Sequence, residues 1–566
     1  MQTRFLNMLV LAIVILFASC SKSNTQGRYI PKEAAFVIQL DGKTLSAKLP
    51  WEEIKQNPAI KDKDGDSTIP AAMKGLLNNP DSAGIETKTD LLFFAQKDSL
   101  GGFAVFEGTI KNQQLFKTFN KQLTENGTES EKDGVNYISK SPICVGFTKD
   151  KFVYVFDAPE MSQMDALSKR MVQDSIDIAP AKPRDISATC KAIFDLSESN
   201  SLAKNEKFGK LMKEGGDIHV WINTEELTKQ ALTNPMLSMV NLDKFYKGSA
   251  TTASINFEDG KITAFAKSYI GDDLANIFKK YGGGKISEDM IKRIPGKEIV
   301  GLFVMNFKPE GIKELLKLSS LDGLANMGLT NAGFTLDDFI KANKGDILFG
   351  VSDLKLKSDT AKQKFSDEGE EFSAGVKPEF NFVFATSIGD KDAFNKLINA
   401  GKKLGPKEMN DSIKAPFAYN SNGTYFTIAN SKENADKYLA GTNTNFDFIN
   451  KINGQPMGGY LNLQILIKTL EREAAKDSSS KVVYDASIKL WDNVMMKGGD
   501  FTDGAITQTV EINLVDKTTN SLKQLNQYAS KLGEVYKAKK HKEKADRLTR
   551  EAAMTPENPS VLEETK

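Results

Sequence analysis

Apolar residues recur in short runs along most of the chain, often at every second position. "AAFVIQLD" (from Ala34), "TDLLFFAQ" (from Thr89) and "GGFAVFEG" (from Gly101) are of strand length and are closed by polar turns. Between them lie segments of another period. "TIKNQQLFKTFNKQL" (from Thr109) spaces Phe and Leu three and four residues apart, as one face of a helix requires. The strands arrive in hairpin pairs, as in "VNYISKSPICVGFTKDKFVYVF" (from Val135) with Lys149-Asp150 at the turn. Amphipathic strands joined by hairpins predict antiparallel sheet, with one face in a core and the other wet or helix-covered. The expected class is α+β.

The same order of elements is written twice. "RYIPKEAAFVIQLD" (from Arg28) is answered by "KRIPGKEIVGLFVMNF" (from Lys292), and "WEEIKQ" (from Trp51) by "EGIKELLKL" (from Glu310). "TDLLFFAQ" is answered by "GDILFGVSD" (from Gly345), and the strand and helix from Gly101 by "PEFNFVFATSIGDKDAFNKLINA" (from Pro378). The hairpin from Val135 is answered by "APFAYNSNGTYFTIA" (from Ala415). "LMKEGGDI" (from Leu211) echoes "VMMKGGDF" (from Val494), and "TASINFEDGKITAFAKSYI" (from Thr252) echoes "GAITQTVEINLVDK" (from Gly504). Two tandem copies of a mainly antiparallel sheet-plus-helices module are therefore expected. The first spans 29–280, a glycine-rich hinge 281–293, the second 294–535, and a charged helix with a disordered tail 536–566. "DIHVWINTEELTK" (from Asp217) lacks a second-half partner, and the polar stretch from Leu354 to Lys377 reads as an exposed insertion or lid.

The first residues do not fit this scheme. Arg4 is followed by an apolar run from Met8 to Phe17, about half of the roughly 20 residues a membrane-spanning helix needs and right for a signal-peptide core. Leu16-Phe17-Ala18-Ser19-Cys20 resembles a bacterial lipobox, in which the Cys thiol is diacylated after cleavage. Residues 1–19 are then a lipoprotein signal peptide and 20–28 a tether, with Cys20 carrying lipid that holds the chain on a membrane. The tether has no acidic pair, which in such lipoproteins points to the outer membrane facing the periplasm, surface exposure being the other option. Of the 3 cysteines, Cys144 and Cys190 remain, both in strand-like runs. In an oxidising compartment they either form a disulfide, worth about 4 kcal/mol in the chain-entropy view, or stay buried thiols.

Composition narrows the chemistry. The chain has 566 residues, more than one core usually fills, and 34 phenylalanines as core material. Lys+Arg (75) balance Asp+Glu (74), which argues against a nucleic-acid partner. There are 2 histidines: His541 lies in the charged tail, and His219 shares a strand face with Asp217 and Trp221, expected at the surface opposite Ile218, Val220 and Ile222. Neither a serine-nucleophile elbow nor a zinc-binding helix motif occurs. "KKYGGGKISEDM" (from Lys279) imitates a nucleotide-binding loop, but Lys279 replaces its first Gly and Ile286 its Ser/Thr, so no nucleotide is expected. Asp62, Asp64 and Asp66 occupy the first positions of a calcium-loop pattern that fails at Ser67 and Met73; a surface turn is the expectation, with no metal or other cofactor. The triplets at Asp66, Asp81, Asp98, Asp174, Asp359 and Asp411, each followed by Ser or Thr, match a short O-glycosylation signal that also recurs by chance.

The opening segment, "NNPDSAGIETKTDLLFF" (from Asn78) and "TTNSLKQLNQYASKL" (from Thr518) resemble an uncharacterised family of Bacteroidota envelope lipoproteins grouped under a domain of unknown function. The resemblance implies an envelope lipoprotein and supplies no activity; Cys20 is the one residue to which it gives a role. The expected function is a non-enzymatic scaffold or binding module for envelope protein or glycan. The alternative is a carboxylate-dependent hydrolase acting on envelope glycan or peptide in a cleft between the repeats.

Overall fold

The computed structural model describes residues 27–61, 75, 79–158, 184–231, 241, 243–359, 375–404, 417–442 and 444–554. Within them eighteen strands form one antiparallel sheet. The first half supplies β1 (Phe36–Asp41), β2 (Asp90–Gln96), β3 (Phe103–Thr109), β4 (Thr128–Lys132), β5 (Val135–Lys140), β6 (Ile143–Phe147), β7 (Lys151–Asp157), β8 (Ile218–Ile222), β9 (Ala250–Glu258) and β10 (Lys261–Tyr269). The second supplies β11 (Ile299–Asn306), β12 (Asn343–Asp359), β13 (Gly375–Ile388), β14 (Ala418–Ser421), β15 (Tyr425–Ala429), β16 (Met457–Asn462), β17 (Trp491–Thr502) and β18 (Ala505–Leu514).

Pairing runs β4–β5–β6–β7–β3–β2–β1–β8–β9–β10 through the first half. It crosses from β10 to β18 and continues β17–β16–β11–β12–β13–β15–β14. Read outward from the crossing, β10–β9–β8–β1–β2–β3–β7 and β18–β17–β16–β11–β12–β13–β15 visit corresponding elements in the same order. Helix starts correspond as well. Asn112 and Asp390 cap the helices after β3 and β13, and Asn223 and Asn462 those after β8 and β16, each side-chain oxygen accepting a backbone N–H three residues on.

This order corrects the sequence alignment at one place. Leu211 ends a helix and Asp217 leads into β8, whereas Val494–Phe501 lies inside β17, so their "GGD" echo joins elements that are not equivalent. The segment from Asp217, expected to have no counterpart, occupies the position that β16 and the helix Leu463–Thr469 hold in the second half. The similarity of the two glycine-bearing stretches obscured it.

Each half has its own core on one face of the sheet. Val37, Phe94, Val105, Val153 and Val155 lie beneath the helices Ile186–Phe194 and Glu206–Leu211. Leu302, Val304, Leu348, Val383 and Ala385 lie beneath Glu288–Lys292, Lys432–Ala440 and Ile449–Ile452. The expected hinge 281–293 is therefore only partly a connection. Gly282–Gly284 follow the helix Asp272–Tyr281, but Met290 and Ile291 are fully buried in the second core. A glycine-rich composition masked a short apolar helix face. The stretch from Leu354 to Lys377 also differs from a free insertion: its ends lengthen the β12–β13 hairpin, with Lys355 opposite Glu379 and Asp359 opposite Gly375, and 360–374 lie outside the described residues. The final helix is longer than expected, Ser521–Met554, with Ser521 and Gln524 buried at its start. Residues 555–566 fall outside the described residues. No helix among the described residues is long and apolar enough to cross a membrane.

A buried cation ties the far end of the first half together. The Arg184 guanidinium, 4% exposed, holds both Asp98 carboxylate oxygens at 2.7 Å, Asp157 at 2.9 Å and the Gly102 carbonyl at 3.1 Å. It thereby clamps the β2–β3 turn to the end of β7, and its hydrogen bonds to Asp98 hold that carboxyl below the usual carboxylate range. Removing the cation strands two carboxylates. Arg184→Ala is expected to cost about 3 kcal/mol in urea unfolding, the lower end for a broken buried pair because Asp98 keeps some solvent contact. An unchanged midpoint would contradict the clamp.

Candidate functional site

Side chains alternate across a strand, so residues in register build two faces of the joined sheet. One is the face beneath the helices. The other carries an uninterrupted apolar row. Leu40, Ile218, Ile255, Ala264, Val510, Met496, Gly459, Phe303, Phe349, Phe384 and Ile428 stand opposite one another, strand after strand, from β1 to β15. A second row runs beside it: Phe257, Ile262, Ile512, Val494, Leu461, Gly301, Val351 and Phe382. Neither row contains a polar side chain. Of all these residues only Gly459 is buried; Phe349 is 44% exposed and Leu461 39%. The corresponding row on the opposite face is largely polar at its middle, with Gln39, His219, Ser254, Thr509 and Lys497 in register around the single aromatic Phe265 between the two cores.

Apolar residues at the outer ends of the open face are covered. The helix Gln113–Leu123 puts Phe116 on Phe152 and Tyr154, and Lys391–Leu404 puts Phe394 on Phe426 at 5.3 Å between rings. Between those ends the rows stay half-exposed. Monomeric proteins rarely leave an apolar patch of such extent to water unless it meets a ligand, a membrane or a partner.

The face deepens into a groove of about 400 Å³ in the second half, lined mainly by Phe303, Phe349, Phe382, Leu461, Val494 and Met496. Phe349 packs on Phe384 at 5.0 Å and on Phe382 at 6.3 Å, forming one wall. Gly301 and Gly459 leave the floor open. A Cβ on Gly301 would meet only Leu461 Cδ1, at 3.7 Å. The walls continue into a polar hollow of about 380 Å³: β12 passes from Val351 to Lys355, and β16 leads into the helix Leu463–Thr469 carrying Lys468. Arg472, Glu298, Glu471 and Glu473 complete that hollow.

The residues singled out in the sequence lie elsewhere. His219 is buried, not at the surface: its face, with Asp217 and Trp221, is the covered one, while Ile218, Val220 and Ile222 are half-exposed. Alternation distinguishes two faces without saying which is covered. Here the Glu214–Gly216 turn folds over the ring, whose Nε2 lies 3.0 Å from the Glu214 carbonyl oxygen. Nδ1 has no hydrogen-bond partner among the described residues, although Ser254 stands opposite His219 on β9. Asp217 is held by Lys48 and by the Phe257 N–H at 2.7 Å. His541 lies on the final helix.

Cys144 sits on β6 as expected, but Cys190 is on the helix Ile186–Phe194 and not in a strand. Its neighbours Ile186, Ile193 and Phe194 have helical spacing, and Asp185 caps the helix, a signal present in the sequence. Both cysteines are fully buried free thiols in one core. A hydrogen bond shared with Cys144, together with burial, holds the Cys190 thiol well above its ordinary value. Gly146 permits this approach, since a Cβ there would stand 2.6 Å from the Phe194 ring and 3.1 Å from the Cys190 sulfur.

Cys20, Asp62, Asp64 and Asp66 lie outside the described residues. Of the short glycosylation triplets, Ser82 and Ser99 are exposed on the surface. No cluster of potential metal ligands occurs among the described residues. The halves meet through a ladder of paired strands, which occupies the place where a hydrolase cleft between them was envisaged.

A family model described as Domain of unknown function (DUF4836) matches residues 28–370. Two solved structures, described as crystal forms I and III of TP0453, are each 11% identical to the chain. Form I covers 43% of this chain and 78% of its own, form III 46% and 87%, both at a TM-score of 0.23, too low to carry an argument. No curated protein matches.

One buried acid on the covered face has a readable titration. Glu107 on β3 stands between Leu92 and Val153, and burial pushes its carboxyl up to about 8, with Lys151 offsetting part of the effect. The folded state then keeps a proton that the unfolded chain, titrating near 4.5, has lost. Stability must fall as pH rises between those values. Wild-type protein is expected to melt at lower temperature at pH 8.5 than at pH 5. Glu107→Gln should remove much of that slope and gain a few kcal/mol at the higher pH. Parallel slopes for the two proteins would contradict a buried, proton-holding Glu107.

Proposed function

The chain belongs to the DUF4836 family, a domain of unknown function, and from this premise we propose that it is a lipid-anchored binding protein of the cell envelope that acts through the open apolar face of its sheet and catalyses no reaction. The observation carrying this reading is the row from Leu40 to Ile428, which crosses both halves without a polar side chain and without cover among the described residues. Such a surface is costly to leave in water at about 25 cal/mol per Å². It offers nothing to the hydroxyls of a glycan, so the glycan partner expected from sequence gives way to an apolar one.

The lipobox ending at Cys20 supports the anchor, in an outer membrane lipoprotein of a Bacteroidota envelope facing the periplasm. The tether expected over 20–28 spans at most about 30 Å when fully extended. The matching strand orders support descent of the halves from one duplicated module. In that oxidising compartment the adjoining Cys144 and Cys190 thiols would be the ones to pair.

Two measurements test the reading. Metabolic palmitate labelling should mark the wild type and not Cys20→Ala; label persisting in the variant would refute the anchor. An anilinonaphthalene sulfonate dye should brighten on the folded wild type, and Phe349→Asp should weaken that binding about tenfold, or ~1.4 kcal/mol, without lowering the melting temperature. Equal dye binding by both proteins would remove the face from the function.

A further inference from the structure

We infer that the groove at Phe303, Phe349 and Leu461 holds the acyl chain of a phospholipid whose zwitterionic headgroup lies in the neighbouring hollow at Lys355 and Lys468. The inference rests on the apolar-face reading above and names its ligand class. The first ground is what the groove lacks. β11 is paired on both sides, with β12 and β16, and β12 and β16 are paired onward with β13 and β17. The floor therefore has no backbone N–H or C=O free for strand addition. Among the side chains that line it, only Tyr460 carries a hydrogen-bonding group, and Tyr460 stands in register with Leu302 on the helix-covered side. A peptide or glycan laid there would bury its polar groups without partners, at about 1–3 kcal/mol each. An alkyl chain has none to lose, and each methylene it buries contributes about 0.8 kcal/mol.

The second ground is charge. Three residues on from Val351 and three before Gly301 lies a hollow of about 380 Å³ that combines the cationic side chains Lys355 and Lys468 with the carboxylates Glu298 and Glu471, while Glu473 in its lining is paired with Lys476 at 2.7 Å. Phosphate complements the first set and an ammonium group the second, so a headgroup bearing both, such as phosphoethanolamine, suits the mixture where a purely anionic one does not. Leu354, Leu356 and Ile465 line the same hollow and carry the apolar surface up to it. The third ground is the floor itself. Gly301 follows the register shift at Ile299, has no positive φ and leaves open space above it, so a side chain placed there enters the groove without meeting backbone.

That property supplies the test, made on the full-length protein with a dansyl-labelled fatty acid as probe. Wild type should bind the probe, and phosphatidylethanolamine in mixed micelles should displace it, whereas an oligosaccharide and an extended peptide should not. Gly301→Phe should weaken binding about tenfold or more with an unchanged melting curve, and Leu324→Asp, on an exposed helix away from the sheet, should bind as wild type does. Failure of wild type to bind the probe, displacement by peptide or oligosaccharide, or a Gly301→Phe affinity within twofold of wild type would overturn the inference. If the anilinonaphthalene dye binds in a Phe349-dependent manner while the fatty acid does not, the apolar-face reading stands and the acyl-chain assignment falls.

Discussion

The structure depends on one ladder. Lys261–Tyr269 of β10 pairs with Ala505–Asn513 of β18 in an unbroken antiparallel register centred on Phe265 and Thr509. Without it the chain would be two sheets, each exposing the edge of its last hairpin, and exposed edges invite pairing with other chains. With it, each half caps the other's edge. The ladder also fixes which faces become continuous. A slip of one residue would turn every side chain of one half to the opposite side. The apolar rows of the second half would then meet the polar middle of the other face.

The two faces of this sheet perform different work. On one, short helices complete a core in each half, and the strip between the cores is largely polar around Phe265, with Lys267 paired to Glu214 and Lys48 to Asp217. On the other, the helices Gln113–Leu123 and Lys391–Leu404 cover the outer ends. A sheet meant solely as a scaffold would place its polar residues outward on that open side. Here Ile262, Ala264, Val510, Ile512, Val494 and Met496 occupy it instead. The exposed rows cost folding stability, and that cost is recovered only when something apolar lies against them.

Much of the architecture was legible in local patterns. Period two marked β1, β2, β3, β11 and β13, and helical spacing marked Gln113–Leu123 and Lys391–Leu404 with their caps at Asn112 and Asp390. What escaped was nonlocal or masked by composition. Which face of β8 is covered depends on the turn at Glu214, so His219 looked exposed and is buried. The β8–β16 correspondence was hidden because the glycines of one stretch precede a strand and those of the other lie within one. The apolar rows were invisible for the same reason. Each strand contributes only one or two of their residues, and no pattern within a strand states that β10 will lie beside β18.

The account is tested most directly in the native envelope. A photoreactive phenylalanine analogue is placed at position 349, the cells are irradiated, and the adduct on the purified protein is identified by mass. The account predicts a covalent phospholipid adduct at position 349, absent when Gly301→Phe fills the groove. A protein adduct at that position, or a phospholipid adduct of equal yield in the Gly301→Phe background, would contradict it.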